Sequence, residues 1–162
     1  MEESAFEQHA RQWRQTAVST SRRCGAAEAE AEDIAQDVML RLWQMRGELD
    51  RYRRPEALVA VMARHLTRNM QRRPLSVDAV PDGATGVTPH ELLEAKEDEQ
   101  WLARRLEQLP TTQRTLLYMR QVERRSHDEL AQLLGIEHNS VSTLLARARR
   151  TLLEEIKRRN RQ

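Results

Sequence analysis

The last helical segment of this 162-residue chain carries side chains that could contact DNA. Placed at 100° per residue, its apolar residues fall on one face and its polar and basic residues on the other. The polar face contains Asn139, Thr143, Arg147 and Arg150. Asn, Thr and Arg suit both base edges in a major groove and phosphate oxygens, so this face is predicted to bind DNA. The alternative is the solvated face of an ordinary helical hairpin.

A second chemically distinctive segment is a helix expected over about residues 28–45, which has two apolar faces. Its first face, Ile34, Val38, Leu42 and Met45, is predicted to lie in a core. Its second face combines apolar and acidic or amide side chains: Asp33, Gln36, Asp37, Met39, Leu40 and Trp43. A three-helix domain cannot easily bury both faces, so the second face is predicted to bind a protein partner. Alternatively, the N-terminal helix covers it.

A third helix, expected from Pro55 to about Arg73, ends in a basic run that contains Arg64, Arg68 and Arg72 and no acid. Nucleic acid is the natural partner of such a surface. Tyr52 lies among arginines in the loop before this helix, where it could stack on an unpaired base. The alternative for Tyr52 is partial burial in the core.

The elements that position these side chains are helices. Ser126 followed by Glu129 is a capping-box pattern that starts a helix, and Gly135 can take positive φ at its end. Asn139 or Ser140 can cap the next helix, which predicts a helix-turn-helix.

Glycines and prolines divide the rest of the chain. Gly25 separates the first helix from the second, Gly47 ends the second, and Pro55 begins the third. The segment 74–90 holds three prolines and two glycines without a helical apolar pattern, and is predicted to be a flexible linker that lets the halves move. We therefore predict a three-helix domain over 1–73 and a four-helix domain over 91–162.

Composition limits the function classes. Aromatic residues make up 4% of the chain, and Val and Ile are sparse beside Leu, Ala, Arg, Glu and Gln, which favours an all-α fold. One cysteine, Cys24, excludes an internal disulfide, and no Cys/His cluster predicts a zinc site. No stretch approaches the length of a membrane span, and the start lacks the order of a signal peptide, so a cytoplasmic protein is expected.

These motifs resemble the extracytoplasmic-function (ECF) group of bacterial RNA polymerase sigma factors. The stretch AEDIAQDVMLRLW, residues 31–43, is similar to the acidic core-binding helix of that family. The C-terminal half is similar to its promoter-reading domain through Leu109-Pro110, Gln113-Arg114, Glu129-Leu130-Ala131, Leu134-Gly135-Ile136, Ser140-Val141 and the ARARR run of 146–150. The chain departs from the family pattern at Leu58, His65 and Asn69, where the family usually has Trp, Asn and Asp.

The resemblance implies a specificity subunit that binds core RNA polymerase, directs promoter recognition and DNA melting, and leaves after initiation. The implied polymerase-binding residues, facing the β′ coiled coil, are Asp33, Gln36, Asp37, Met39, Leu40 and Trp43, and the β subunit is a further implied contact. The implied minus-ten residues are Tyr52, Arg64, His65, Arg68, Asn69, Arg72 and Arg73. The implied minus-thirty-five residues are Asn139, Ser140, Ser142, Thr143, Arg147 and Arg150. An anti-sigma factor is a further partner that the family allows.

Two other functions compete with this interpretation. A helix-turn-helix repressor or activator would use its N-terminal half to dimerise or sense a signal, and it would need no docking face on the second helix. An enzyme would need catalytic groups, and the sequence has no phosphate-binding loop, no HExxH and only five scattered histidines. No catalytic residue, cofactor, metal or membrane insertion is therefore expected.

Overall fold

The computed structural model describes residues 1–72 and 88–162, and within these ranges every regular element is a helix. The N-terminal half contains α1 (Glu3–Arg23), α2 (Glu28–Gln44), a short 3₁₀ helix (Arg46–Arg51) and α3 (Pro55–Gln71). The C-terminal half contains α4 (Pro89–Gln108), α5 (Thr111–Gln121), α6 (His127–Leu134) and α7 (His138–Asn160). The all-α expectation, with three α-helices before the linker and four after it, is confirmed.

The N-terminal half is a three-helix bundle around apolar side chains of all three helices. Trp13 from α1, Val38 and Leu42 from α2 and Leu58 from α3 are fully buried at its centre. The α1–α2 turn uses Gly25 at φ 98°, a conformation that favours glycine. The expectation that Gly47 ends α2 is wrong, because α2 ends at Gln44 and Gly47 lies inside the 3₁₀ helix.

The C-terminal half packs α5 and α6 against α7. Leu116, Leu130, Leu134 and Leu145 form its buried centre. By contrast, α4 has no buried residue along its whole length.

The predicted linker is too long at its C-terminal end. The structure begins α4 at Pro89, two residues inside the predicted 74–90 segment. A capping box that the sequence analysis missed starts the helix: the Thr88 hydroxyl accepts the Glu91 amide at 3.2 Å, and the Glu91 carboxylate accepts the Thr88 amide at 2.8 Å. Most of the linker, and Arg73, lie outside the described residues.

The two halves pack against each other and share one continuous apolar cluster. The face formed by α3 and the residues just before it contacts α5, α6 and the loop between them. The sequence predicted halves that move independently, whereas the structure has them in direct contact.

Candidate nucleic-acid interface

The helix-turn-helix is formed by α6 and α7 as the sequence predicts. The Ser126 hydroxyl accepts the Glu129 amide at 3.1 Å at the start of α6, and Gly135 ends it at φ 69°. The predicted α7 caps are wrong, because α7 begins at His138 and neither Asn139 nor Ser140 occupies the cap position. That position belongs to Glu137, whose side chain caps no amide.

The polar face of α7 is available for contacts. Asn139, Ser140, Thr143, Arg147 and Arg150 are all exposed. Ser142 is half-buried, and its hydroxyl lies 3.2 Å from Nδ1 of His127.

The opposite face of α7 packs for most of its length. Val141, Leu145 and Ala148 are buried, as expected for the apolar face of this helix. Ile156, at the same helical spacing near the end of α7, is 36% exposed.

The start of α7 also faces the other half of the chain. A cleft of about 350 Å³ is lined by Asn139, Ser140, Thr143 and Arg147 from α7 and by Arg51 from the 3₁₀ helix. Ile136 and Leu144 give the cleft an apolar part, while Arg51 and Arg147 supply the guanidinium groups that suit phosphate oxygens.

The basic residues of α3 divide into two groups. Arg68, Asn69 and Arg72 are exposed. Arg64 and His65 are instead held by the C-terminal half, so the structure does not present the predicted minus-ten residues as one open surface.

Arg64 makes a bidentate ion pair with Glu123, which lies just beyond α5. Its Nε donates to Oε1 of Glu123 at 2.7 Å and its Nη2 donates to Oε2 at 3.3 Å. Arg125 Nε donates to the same Oε2 at 2.9 Å. Burial raises the pKa of Glu123, but the hydrogen bonds from the two arginines outweigh it, so the pKa lies below its ordinary value.

His65 stacks on Tyr118 of α5. The ring centroids lie 4.4 Å apart with an interplanar angle of 16°. Burial, with the positive charge of Arg114 adding to it, lowers the pKa of His65 to about 4. The imidazole is therefore neutral at physiological pH in this arrangement.

Tyr52 is buried, so the prediction that it lies free to stack on a base is wrong for this structure. Its side chain is only 6% exposed and its hydroxyl is hydrogen-bonded to Thr112 at the start of α5. The alternative, that Tyr52 belongs to the core, describes it correctly. Burial raises the pKa of Tyr52, so the hydroxyl remains protonated.

The backbones of the two halves also meet directly. The Arg53 amide donates to the Leu134 carbonyl at 3.0 Å, at the corner of the helix-turn-helix. A methyl group on Gly135 would lie 2.7 Å from the Arg53 nitrogen and 2.9 Å from its Cα. Only glycine therefore fits between these backbones.

The second face of α2 is partly exposed. Asp33 and Gln36 are exposed, Leu40 is 55% exposed, and Asp37 is half-buried. We call these four residues the α2 stripe.

Trp43 and Met39 are only partly exposed. The Trp43 ring meets Phe6 of α1 edge-on, with centroids 5.2 Å apart, and the Arg46 guanidinium lies 4.2 Å above it. The alternative in which the N-terminal helix covers this face therefore describes Trp43, while Leu40 is the apolar residue left open.

Sequence reasoning missed the residues of the C-terminal half that meet α3, including Thr112, Tyr118 and Glu123. One local signal was present: Glu123 is the only acid between Glu107 and Asp128, and it lies among arginines. Glu107 was missed as well, and its carboxylate links Arg41 of α2, at 3.0 Å, to the buried Arg114, at 3.1 Å.

Neither a metal site nor a membrane span is found in the described ranges. There, no group of three or more His, Cys, Asp or Glu side chains could hold a metal ion. None of the helices described is long and apolar enough to cross a membrane.

In comparisons with known protein families, each half of the chain matches a different family. The Sigma-70 region 2 family matches residues 6–74, and the Sigma-70 region 4 family matches residues 99–152. A curated relative, named "Probable RNA polymerase sigma factor RfaY", from Xanthomonas campestris pv. campestris, is 31% identical over 145 residues. That alignment covers 81% of this chain and 35% of the relative, so the chain spans about a third of the relative's length.

The solved structures that align with this chain have lower sequence identity to it. The structure of CnrH in complex with the cytosolic domain of CnrY is 20% identical, with a TM-score of 0.40, over 96% of this chain and 90% of that one. The complex of the sigma factor RpoE with the anti-sigma factor NepR from Bartonella quintana is 17% identical, with a TM-score of 0.40, over 94% of this chain and 97% of that one.

Proposed function

This chain belongs to the Sigma-70 family of RNA polymerase sigma factors, and from that premise we propose that it acts as an ECF-type sigma factor. It binds core RNA polymerase, directs it to promoters, assists DNA melting and leaves after initiation. In this proposal residues 1–73 bind the polymerase and the minus-ten element, and residues 91–162 bind the minus-thirty-five element, with 74–90 between them. The chain acts in the cytoplasm and carries no catalytic group of its own.

The order of the two family matches supports this proposal most directly. Region 2 falls on α1–α3, which carry the α2 stripe, and region 4 falls on α4–α7, which carry the helix-turn-helix. A repressor would have no use for a polymerase-docking surface on the half that lacks the helix-turn-helix.

The polymerase contact is assigned to α2. The carboxylates of the α2 stripe meet basic groups of the β′ coiled coil, and Leu40 supplies the apolar contact. Met39 and Trp43 contribute the part of their surface that α1 leaves open, and the β subunit is a second contact. An anti-sigma factor that competes for these surfaces is a further expected partner.

The minus-ten contacts are assigned to α3 and the residues around it. Arg68, Asn69 and Arg72 are accessible as the chain stands. Tyr52, Arg64 and His65 can reach DNA only when the two halves separate, and Arg73 belongs to the same basic run.

The minus-thirty-five contacts are assigned to α7, with base reading at its start and backbone contacts further along. Asn139 and Thr143 read base edges, Arg147 reaches a base or a phosphate, and Arg150 contacts the backbone alone. Ser140 and Ser142 lie at the same end of α7 and are assigned to the edge of the DNA major groove.

Runoff transcription with purified core polymerase tests the proposal. Together, the chain and core are expected to transcribe from a subset of a promoter library randomised upstream of the start site, whereas core alone is not. A chain that binds DNA tightly by itself, fails to pull down core polymerase and supports no transcription would instead be a repressor or activator.

The same library separates the roles on α7. Asn139→Ala or Thr143→Ala should relax the preference at one base pair, at a cost of about 1–3 kcal/mol, while Arg150→Ala should weaken binding to all sequences alike and flatten the salt dependence by about one unit. An unchanged sequence preference in all the variants would show that α7 does not read DNA.

A further inference from the structure

The cleft at the start of α7 combines two guanidinium groups with an apolar wall. We propose that it binds a nucleoside diphosphate, a ligand that the proposed function does not require. The lining residues are Arg51 of the 3₁₀ helix and Ile136, Asn139, Ser140, Thr143, Leu144 and Arg147. We call this site the α7 cleft.

The phosphate groups of the ligand are assigned to Arg51 and Arg147. Both side chains are exposed, and neither guanidinium makes an ion pair or a hydrogen bond with the residues that the structure describes. A guanidinium can donate two parallel hydrogen bonds to phosphate oxygens, and its charge strengthens them. The lining contains no carboxylate that would repel the ligand. Two arginines in one cleft therefore favour a ligand that carries two phosphate groups.

The base of the nucleotide is assigned to the apolar wall. Ile136 and Leu144 are half-buried and pack against the hydrophobic core, so their side chains offer a supported apolar surface. A flat base gains free energy when it leaves water for such a surface, whereas inorganic phosphate or pyrophosphate gains nothing there. The wall therefore favours a nucleotide over a simple anion.

Asn139 supplies groups that can recognise the base. Its side chain is exposed and makes no hydrogen bond within the described ranges, while its backbone carbonyl accepts the Thr143 hydroxyl at 2.9 Å. A carboxamide has both a donor and an acceptor, which match the N6 and N7 edge of adenine. Adenine is therefore the expected base, and ADP is the probe for this site.

The volume of the α7 cleft fits one nucleotide. At about 350 Å³ it lies toward the lower end of the roughly 300–1,000 Å³ of small-molecule sites. A second cleft, of about 400 Å³, is also bordered by two arginines, Arg14 and Arg22, but Arg14 is already paired with Glu32, which lines that cleft too. The α7 cleft is the one whose arginines are both available.

Calorimetric titration of the full chain with ADP is the direct test. An ionic strength of about 0.15 M screens the general attraction of anions to a basic protein. ADP should bind at one site. Adenosine lacks the phosphate groups and pyrophosphate lacks the base, so each should bind at least about tenfold more weakly than ADP.

Arginine variants locate the site. Arg51→Gln and Arg147→Gln should each weaken ADP binding about tenfold, because each removes one guanidinium from the cleft. Arg54→Gln and Arg149→Gln are the matched controls, since they remove the same charge from exposed neighbouring positions outside the lining. Both controls should bind ADP as the wild-type chain does, and circular dichroism checks that all four variants fold.

Asn139→Ala tests the assignment of the base. The wild-type chain should bind ADP more tightly than GDP, and this variant should bind the two equally, because it removes the groups that match adenine. Equal binding of ADP and GDP by the wild-type chain would overturn the proposed recognition of adenine.

Three further results would overturn the site itself. They are the absence of ADP binding by the folded chain, pyrophosphate binding as tight as ADP binding, and equal losses in Arg51→Gln and its control Arg54→Gln. None of these measurements includes polymerase or promoter DNA. Failure of runoff transcription would therefore leave the nucleotide site standing, and failure of ADP binding would leave the sigma-factor function standing.

Discussion

His65 is the residue whose chemistry depends most on the packing of the two halves. With the halves in contact, which we call the closed form, His65 is stacked on Tyr118, and the charged groups facing it are Arg114 of α5, Glu107 of α4, Arg41 of α2 and Glu123. Burial and the arginines together favour the neutral ring. Separation of the halves removes Tyr118 and returns the ring to water, where an imidazole has a pKa of about 6.5.

This difference predicts that acid opens the chain. The open form binds a proton more readily than the closed form, in which the pKa is about 4. The closed form is therefore fully favoured above about pH 6.5 and is progressively disfavoured as the pH falls from there toward 4. Energy transfer between dyes attached to Gln8→Cys on α1 and Gln132→Cys on α6, both exposed positions, in a Cys24→Ser background should fall between about pH 7.5 and pH 5.

His65→Phe keeps a stacking ring that cannot be protonated and should flatten this pH dependence, whereas His90→Gln, at an exposed position, should not. Glu123 does not interfere in this window, because its lowered pKa keeps it ionised there. A pH response that survives His65→Phe would show that another group causes opening.

Leu40 is the second residue with a specific expectation. It is 55% exposed on the α2 stripe, while Trp43 is partly packed on Phe6, so Leu40 tests docking without disturbing the bundle. A central apolar contact typically costs about 2 kcal/mol when truncated, and Leu40→Ala should weaken core binding by about thirtyfold.

Leu93→Ala on α4 is the matched control, because Leu93 is equally exposed, at 55%. Affinity for core is measured by fluorescence anisotropy, and circular dichroism should be unchanged in both variants. Equal losses in the two variants would argue against α2 as the docking helix.

Among the elements, the corner between α6 and α7 has two roles. Gly135 ends α6 in the left-handed region, as a helix C-terminus often requires, and its missing side chain also admits the Arg53 backbone. One glycine therefore serves both the helix-turn-helix and the backbone contact with Arg53.

Gly135→Ala is accordingly expected to be costly. Left-handed backbone alone costs a non-glycine residue about 1–2 kcal/mol, and the added methyl group forces the Arg53 backbone away. The free energy of unfolding from urea titrations should fall by more than about 2 kcal/mol, and energy transfer between the halves should drop.

Gly47→Ala provides the comparison at this scale. Its Cβ would meet nothing within 4 Å, and its φ is not positive, so stability should change by less than about 1 kcal/mol. Similar losses for Gly47 and Gly135 would contradict the close-approach argument.

For the whole molecule, the shared apolar cluster predicts that unfolding is cooperative across both halves. Trp13 is buried in the N-terminal bundle, and the Trp101 ring of α4 lies 4.8 Å from the Arg159 guanidinium of α7, so single-tryptophan variants can follow each half separately. In the wild-type background the two urea transitions should coincide, as for a two-state protein.

Breaking the ion pair between Arg64 and Glu123 should separate those transitions. In Glu123→Arg each half should unfold at its own urea midpoint, while in Glu99→Arg, the same charge change at an exposed position, the midpoints should remain equal. Two separate transitions already present in the wild-type background would show that the halves are not coupled in solution.

The sequence by itself determined the helices, the helix-turn-helix and the two-sided character of α2. These features depend on local patterns: apolar period, a serine N-cap at Ser126, and a glycine at position 135 that can take positive φ. The two family matches confirm the family resemblance, which is carried by residues 31–43 and the C-terminal motifs. The sequence could show this resemblance because each motif lies within a few helical turns.

Only the tertiary structure decided which of the predicted binding residues are open. Arg64 and Glu123 are 59 positions apart, and Tyr52 and Thr112 are 60 apart. No local period encodes such a pair, because a basic helix end looks the same whether it faces solvent or a carboxylate from another helix. The burial of Tyr52 and His65 and the partial cover of Trp43 follow from how the helices pack, and that packing depends on side chains distant in sequence meeting in space.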